Sequence, residues 1–186
     1  MLDMNKLSSL IKDHSINLTE QDIFNFLKIE KRWPHRDMLG EPTVQVINNT
    51  LEIVDKDFYK VTGYLDYEKW KVYYDKGFTS LITNVLDLTE ELRNLQDKIK
   101  YIVGNEVESR FIFSKGINDN SAHSIEYVQD YDVIVKQIYG EGHWKIHEQD
   151  HVIKKDETLN IRRRLYRNNT KIEGLNLSLI LNIKKN

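Results

Sequence analysis

The amino-acid sequence predicts an α+β protein whose strands crowd into its second half. Up to Gly104 the apolar residues recur at helical spacing or in short isolated strands, and from residue 109 onward β-type segments follow one another almost without a break. A length of 186 residues with 40% hydrophobic and 10% aromatic content is enough for one domain with a substantial core. The expected organisation is an N-terminal helical extension over residues 1–35 followed by a barrel domain over 36–186, one domain overall.

Taken in order, Thr19 is placed to cap a helix with Asp22 in its first turn, where a negative charge suits the dipole, and Ile23, Phe24, Phe26 and Leu27 supply its apolar side. Pro34 ends that helix. Val44–Ile47 and Leu51–Val54 read as a strand pair joined by a turn at Asn48, Asn49 and Thr50. Tyr67, Trp70, Val72 and Tyr73 indicate a short helix ending near Gly77, and residues 78–85 read as a buried strand. The clearest helix begins at Thr89: Leu92, Leu95, Ile99 and Ile102 fall on one face with Leu88, and Gly104 closes it. Strands follow near 109–114, 125–129, 132–139, 142–148, 151–155, 157–167 and 174–183. Regular short strands of this kind close as a sandwich or a barrel.

The formal charge is −2 and the isoelectric point is near 6.3, so the chain is no polycation seeking nucleic acid. The absence of cysteine excludes disulfides, thiolate metal sites and cysteine nucleophiles together. The opening MLDMNKLSSLIKDH lacks the basic start and long apolar run of a signal peptide, and no stretch approaches the ~18 apolar residues of a membrane span. A soluble cytoplasmic protein is expected, with no membrane partner. There is no Gly-rich phosphate loop, Gly-x-Ser-x-Gly elbow or HExxH motif, and Glu90 and Glu91 belong to the first turn of a helix.

One segment is specific. SRFIFSKGINDNSAHSIEYVQDYDVIVKQIYGEGHWKI, followed by KKDETLNIRRRLYRNN, resembles the cupin-like JmjC family of Fe(II)- and 2-oxoglutarate-dependent oxygenases. Asp132, Val133, Gln137, Gly140 and Trp144 match that family's framework at its own spacing, and Glu157, Leu159 and Ile161 match a later Asp-x-Leu-x-Ile. The resemblance covers roughly residues 30–183. It implies a double-stranded β-helix, the cupin or JmjC-like jelly-roll barrel, with a helix before the first barrel strand.

In the same register the metal ligands are gone. Tyr127 stands where the first His belongs, Gln129 where the carboxylate belongs, Arg162 at a Pro position and Arg167 on the second His. Two imidazoles and a carboxylate hold Fe(II) on one face; a guanidinium stays protonated and has no lone pair to give. Relocated ligands are conceivable in His123 with Glu126, Asp130 or Asp132, and the second His would then have to be His143, His147 or His151. The basic residue that the family often supplies for 2-oxoglutarate falls on Gly142, with Lys136, Arg164 or Arg167 as replacements for it or as anion contacts.

Bland readings stand beside these. HWKIH alternates as a strand, with His143, Lys145 and His147 on one face and Trp144 with Ile146 inward. Arg162, Arg163 and Arg164, with Arg167 and Lys171, form a strand whose basic residues divide between two faces, near the acids Asp156, Glu157 and Glu173. Nucleic-acid binding is not expected from so divided a run. Arg167 on an inner face needs an acid, an amide or a bound anion, with Glu126, Gln129 and Asp132 as its expected neighbours.

The expectation is a non-catalytic relative of these hydroxylases with no metal and no cofactor. Its barrel would bind an unknown protein partner or a small anion, with assembly as a homo-oligomer compatible with either. The alternatives are an active Fe(II)/2-oxoglutarate-dependent protein or RNA hydroxylase with relocated ligands, and a structural component of a larger assembly.

Overall fold

The structure is a computed structural model. It describes residues 3–29, 33, 43–47, 53–54, 58–104, 107–116, 125–127, 131–147, 149–162, 167–171 and 174–183, and of 53–54, 125–127 and 167–171 the backbone alone.

Among the described residues, four α-helices and a 3-10 turn at Val85–Asp87 precede the barrel strands. α1 (Met4–Asp13) begins at Asp3, whose carboxylate accepts from the amides of Asn5 and Lys6. α2 (Glu20–Leu27) carries a reciprocal capping box between Thr19 and Asp22. It ends at Leu27, so Pro34 is not its terminator; that proline lies outside the described residues. α3 (Tyr67–Asp75) is capped by Asp66. α4 (Glu90–Val103) runs from Thr89 to Gly104, whose φ of 74° is the left-handed close expected of glycine there.

Two strands of the N-terminal half, β1 (Val44–Ile47) and β2 (Ile53–Val54), pair antiparallel, and β3 (Thr79–Thr83) lies against β1. The turn expected at 48–50 lies outside the described residues. Eight strands follow: β4 (Glu108–Ser114), β5 (Ile125–Tyr127), β6 (Asp132–Tyr139), β7 (Gly142–Ile146), β8 (Gln149–Ile153), β9 (Thr158–Ile161), β10 (Arg167–Lys171) and β11 (Asn176–Ile183). Their pairing is nested: β7 with β8, β6 with β9, β5 with β10 and β4 with β11. A long hairpin rolled up so that its pairs alternate between two sheets gives this pattern, which is the double-stranded β-helix. One sheet has the order β2-β1-β3-β4-β11-β6-β9 and the other β5-β10-β7-β8.

One expected strand is in fact two. Residues 157–167 read as one alternating segment, but β9 ends at Ile161 in the larger sheet and β10 begins at Arg167 in the smaller. Rolling the hairpin requires the chain to change sheets here. Arg162 lies beyond β9 and is exposed, so it is not on a strand face as the sequence suggested, and Arg163 and Arg164 lie outside the described residues. Of the acids expected to pair with this run, Glu157 accepts from the amide of Lys154 in the β8–β9 turn.

The larger sheet is buried on both faces. Its outer face packs under the helices, where Ile82, Phe111, Phe113, Ile134, Leu179 and Leu181 join Leu7, Ile11, Ile23, Leu27, Leu92 and Leu95 in one core. α1 and α2 thus share their core with the barrel. Its inner face meets the smaller sheet through Leu81, Ile112, Val133, Val135, Ile161 and Ile180 against Trp144, Ile146 and Ile153. β6 serves both cores with alternate residues, which is why every one of Asp132–Ile138 is buried.

Candidate functional site at the Arg167 end of the barrel

The barrel has two ends. At the Gly140 end β6 turns into β7 and β11 begins; at the Arg167 end β4 and β6 begin and β5, β7 and β9 finish.

At the Gly140 end the framework residues form a lock. The amide of Gln137 donates to the carbonyl of Tyr139 at 2.7 Å, the Ser178 hydroxyl donates to Gln137 Oε1 at 2.7 Å, and Asn176 Nδ2 donates to the carbonyl of Glu141 at 2.5 Å. Gly140 has a φ of 74°, and a Cβ there would come within 2.4 Å of the Leu175 carbonyl. A Cβ at Gly142 would meet Gln137 Oε1 at 2.5 Å and Trp144 Nε1 at 2.9 Å. The position where the resemblance looks for a basic anchor has no room for any side chain.

The other end carries Tyr127 and Arg167, two positions at which the resemblance expects metal ligands. Arg167 is the direct cross-strand partner of both Tyr127 and Ile146. Ile146 belongs to the inter-sheet core, so Tyr127 and Arg167 occupy positions on the inner face of the smaller sheet. Two segments far apart in the sequence thus bring Tyr127 and Arg167 side by side on neighbouring strands. The residues there, a phenol and a guanidinium, do not fit a 2-His-1-carboxylate Fe(II) centre.

Several proposed substitutes are elsewhere. Glu126 pairs with Asn168, on the outer face of its sheet. Asp132 pairs with Ile183 and is buried toward the helices, so neither acid neighbours Arg167 across the barrel interior as the sequence suggested. Lys136 is corrected as well: it has no exposure, and its ammonium donates to the carbonyls of Ile11 at 3.0 Å and Lys12 at 2.9 Å, closing the C-terminus of α1 on the helix side of the sheet. Burial pushes its pKa down, opposed by Asp156 and Asp13. His123, Gln129, Asp130 and Arg164 lie outside the described residues.

The histidines also divide. His143 is half-buried on the outer face, 3.8 Å from Glu141. His147 is not on a strand face with it, because it occupies the β7–β8 turn with a φ of 53°. His151 pairs with Trp144 and so takes an inner-face position on β8. Among the described residues no three His, Asp or Glu side chains form a group able to hold a metal.

Two polar residues at this end were not singled out from the sequence. Arg110 of β4 lies between Thr83 and Ile180, and Asn182 of β11 lies between Glu108 and Val133, all on the inner face. The signal was present in SRFIFS: Phe111 and Phe113 mark one face as core, which leaves Arg110 with Ile112 on the other.

No family model and no curated protein matches this sequence. Among solved structures, the chain is similar to YcfD, a ribosomal oxygenase from Escherichia coli, with a TM-score of 0.55, 11% identity, and coverage of 94% of this chain and 46% of that one. It also aligns with a cupin protein from Bacteroides fragilis (TM-score 0.36, 13% identity, 42% of this chain and 65% of that). A cupin domain of a transcriptional regulator from Enterobacter cloacae gives a TM-score of 0.36, with 12% identity over 43% of this chain and 83% of that. The chain spans about half the length of YcfD, and at this identity the likeness shows the fold, an α+β double-stranded β-helix with flanking helices. No described helix is long and apolar enough to cross a membrane.

Proposed function

We propose that this chain is a non-catalytic relative of the Fe(II)/2-oxoglutarate oxygenases, its barrel kept as a binding module. The observation that carries the reading is the register of Arg167 against Tyr127: the two places where imidazoles would hold the metal are cross-strand neighbours and hold other chemistry. A guanidinium at the metal position brings a fixed positive charge to the place a cation would need. The filled space at Gly142 supports the same reading from the co-substrate side.

Metal content and turnover test it. Protein purified without chelators is expected to hold no stoichiometric Fe, Mn, Ni or Zn and to convert no 2-oxoglutarate to succinate. One equivalent of iron, lost in a His123→Ala variant, overturns the reading in favour of a hydroxylase with relocated ligands.

A further inference from the structure

The Arg167 end contains an arrangement that neither the lost metal centre nor the fold explains. Arg110 is half-buried on the inner face, flanked by Thr83 and Ile180, and makes no hydrogen bond or ion pair among the described residues. Asn182 is diagonal to it on the same face, 6% exposed, and its Oδ1 is buried without a partner. The Asn182 amide is oriented by Glu108, whose Oε2 accepts from Nδ2 at 3.5 Å; turning the amide over would set two oxygens against each other. Thr83 is already engaged, accepting from the Thr43 amide at 2.8 Å.

A buried carbonyl oxygen without a donor is destabilising in an ordinary core, so Asn182 Oδ1 beside the Arg110 guanidinium is open to a donor carried by a ligand. A guanidinium presents a fork of donors that matches a carboxylate in two parallel bonds. Diagonal neighbours on a sheet face lie about 7–8 Å apart at the backbone, a span that one small molecule bridges between two side chains.

We infer that Arg110 and Asn182 form a binding site for a small carboxylate bearing a hydroxyl or amino group: the carboxylate on the Arg110 fork, and the hydroxyl or amino donor on Asn182 Oδ1. The inference rests on the reading of the barrel as a binding module and gives that module a ligand class.

The test uses the full chain, with L-lactate and propionate as probes that differ by one hydroxyl, and inorganic phosphate as a second oxyanion, at constant ionic strength. Thermal shift and calorimetry are expected to show saturable binding of lactate, stronger than that of propionate or phosphate. Arg110→Met should weaken lactate about tenfold or more while leaving the melting temperature of the unliganded protein close to that of wild type. Asn182→Val should erase the preference for lactate over propionate while both still bind.

Absence of a saturable response, an undiminished response in Arg110→Met or, should that variant not fold, in Arg110→Gln, or phosphate binding as tightly as lactate overturns the site. Iron content is measured on the same samples. One equivalent of iron with the lactate response intact brings down the non-catalytic reading and leaves this site standing, so the two failures are separable.

Discussion

At the Gly140 end of the barrel, Gln137, Ser178 and Asn176 bond one another and the turn beside them. At the Arg167 end, Asn182 keeps a buried oxygen without a partner and Arg110 makes no bond among the described residues. Both ends belong to the same two sheets and use the same strands. The difference is that Gln137, Ser178 and Asn176 satisfy one another and the turn at one end, whereas Asn182 Oδ1 and Arg110 at the other have no such partner among the described residues. Gln137, Gly140 and Trp144 lie at the Gly140 end, so their presence bears on the fold and says little about chemistry at the end where Tyr127 and Arg167 sit.

The largest expected effect comes from forcing the two ends to exchange roles. Gly142→Lys restores a basic residue where the resemblance places one, but its Cβ would press on Gln137 Oε1 and Trp144 Nε1. It is expected to destabilise the protein by about 3 kcal/mol and to confer no 2-oxoglutarate binding. Chemical denaturation and calorimetry read both, and a stable variant that binds 2-oxoglutarate would show that the Gly140 end is not a closed lock.

Gln137→Leu sharpens the comparison within that end, since it removes the acceptor of the Ser178 hydroxyl and the donor to the Tyr139 carbonyl together. A loss of about 2 kcal/mol in denaturant unfolding is expected. A loss no greater than that of an exposed polar residue would mean that the network is incidental.

The smallest effect concerns the opposite face of β6, where Lys136 donates to the carbonyls of Ile11 and Lys12 and its charge is still penalised by burial. Its folded-state pKa is lowered below the ordinary 10.5. Between those two values the unfolded chain binds more protons, so the penalty is complete below the folded pKa and is relieved as pH rises toward 10.5. Wild type should gain stability over that window relative to Lys136→Met. Burial pushes up the phenols of Tyr74 and Tyr139, which act in the opposite direction in both proteins, so the difference isolates Lys136. A constant difference between the two proteins across that window would contradict the lowered pKa.

How much of this was legible in the sequence depends on whether the signal is local. The cap at Thr19, the face Leu92, Leu95 and Ile99, and the close at Gly104 are all written within one helix, and α2 and α4 are found where the sequence places them. α1 was legible only as part of a helical extension, because its inward residues Leu7 and Ile11 are few among polar ones. The break between β9 and β10 has no local mark: LNIRRRLYRNN alternates straight through it, and the change of sheet is dictated by the partners β6 and β7, far away in the chain. For the same reason Lys136 looked available to a ligand until α1 was seen to lie over it. Arg110 was hidden for a related cause, since its strand reads as an ordinary amphipathic strand until the sheet opposite is known.

The nested pairing of the barrel strands sets the order in which the protein can be made. β11 lies between β4 and β6, yet both are synthesised before it, with β5 and β7 through β10 produced in between. Until β11 emerges, β4 and β6 each present a long apolar edge with open backbone donors and acceptors, the type of surface on which chains stick to one another. Contacts between strands so distant in sequence also close slowly, because the loop entropy is lost before the pairing compensates for it. The roll that places the two ends so differently thus makes an interior strand of the larger sheet a late arrival.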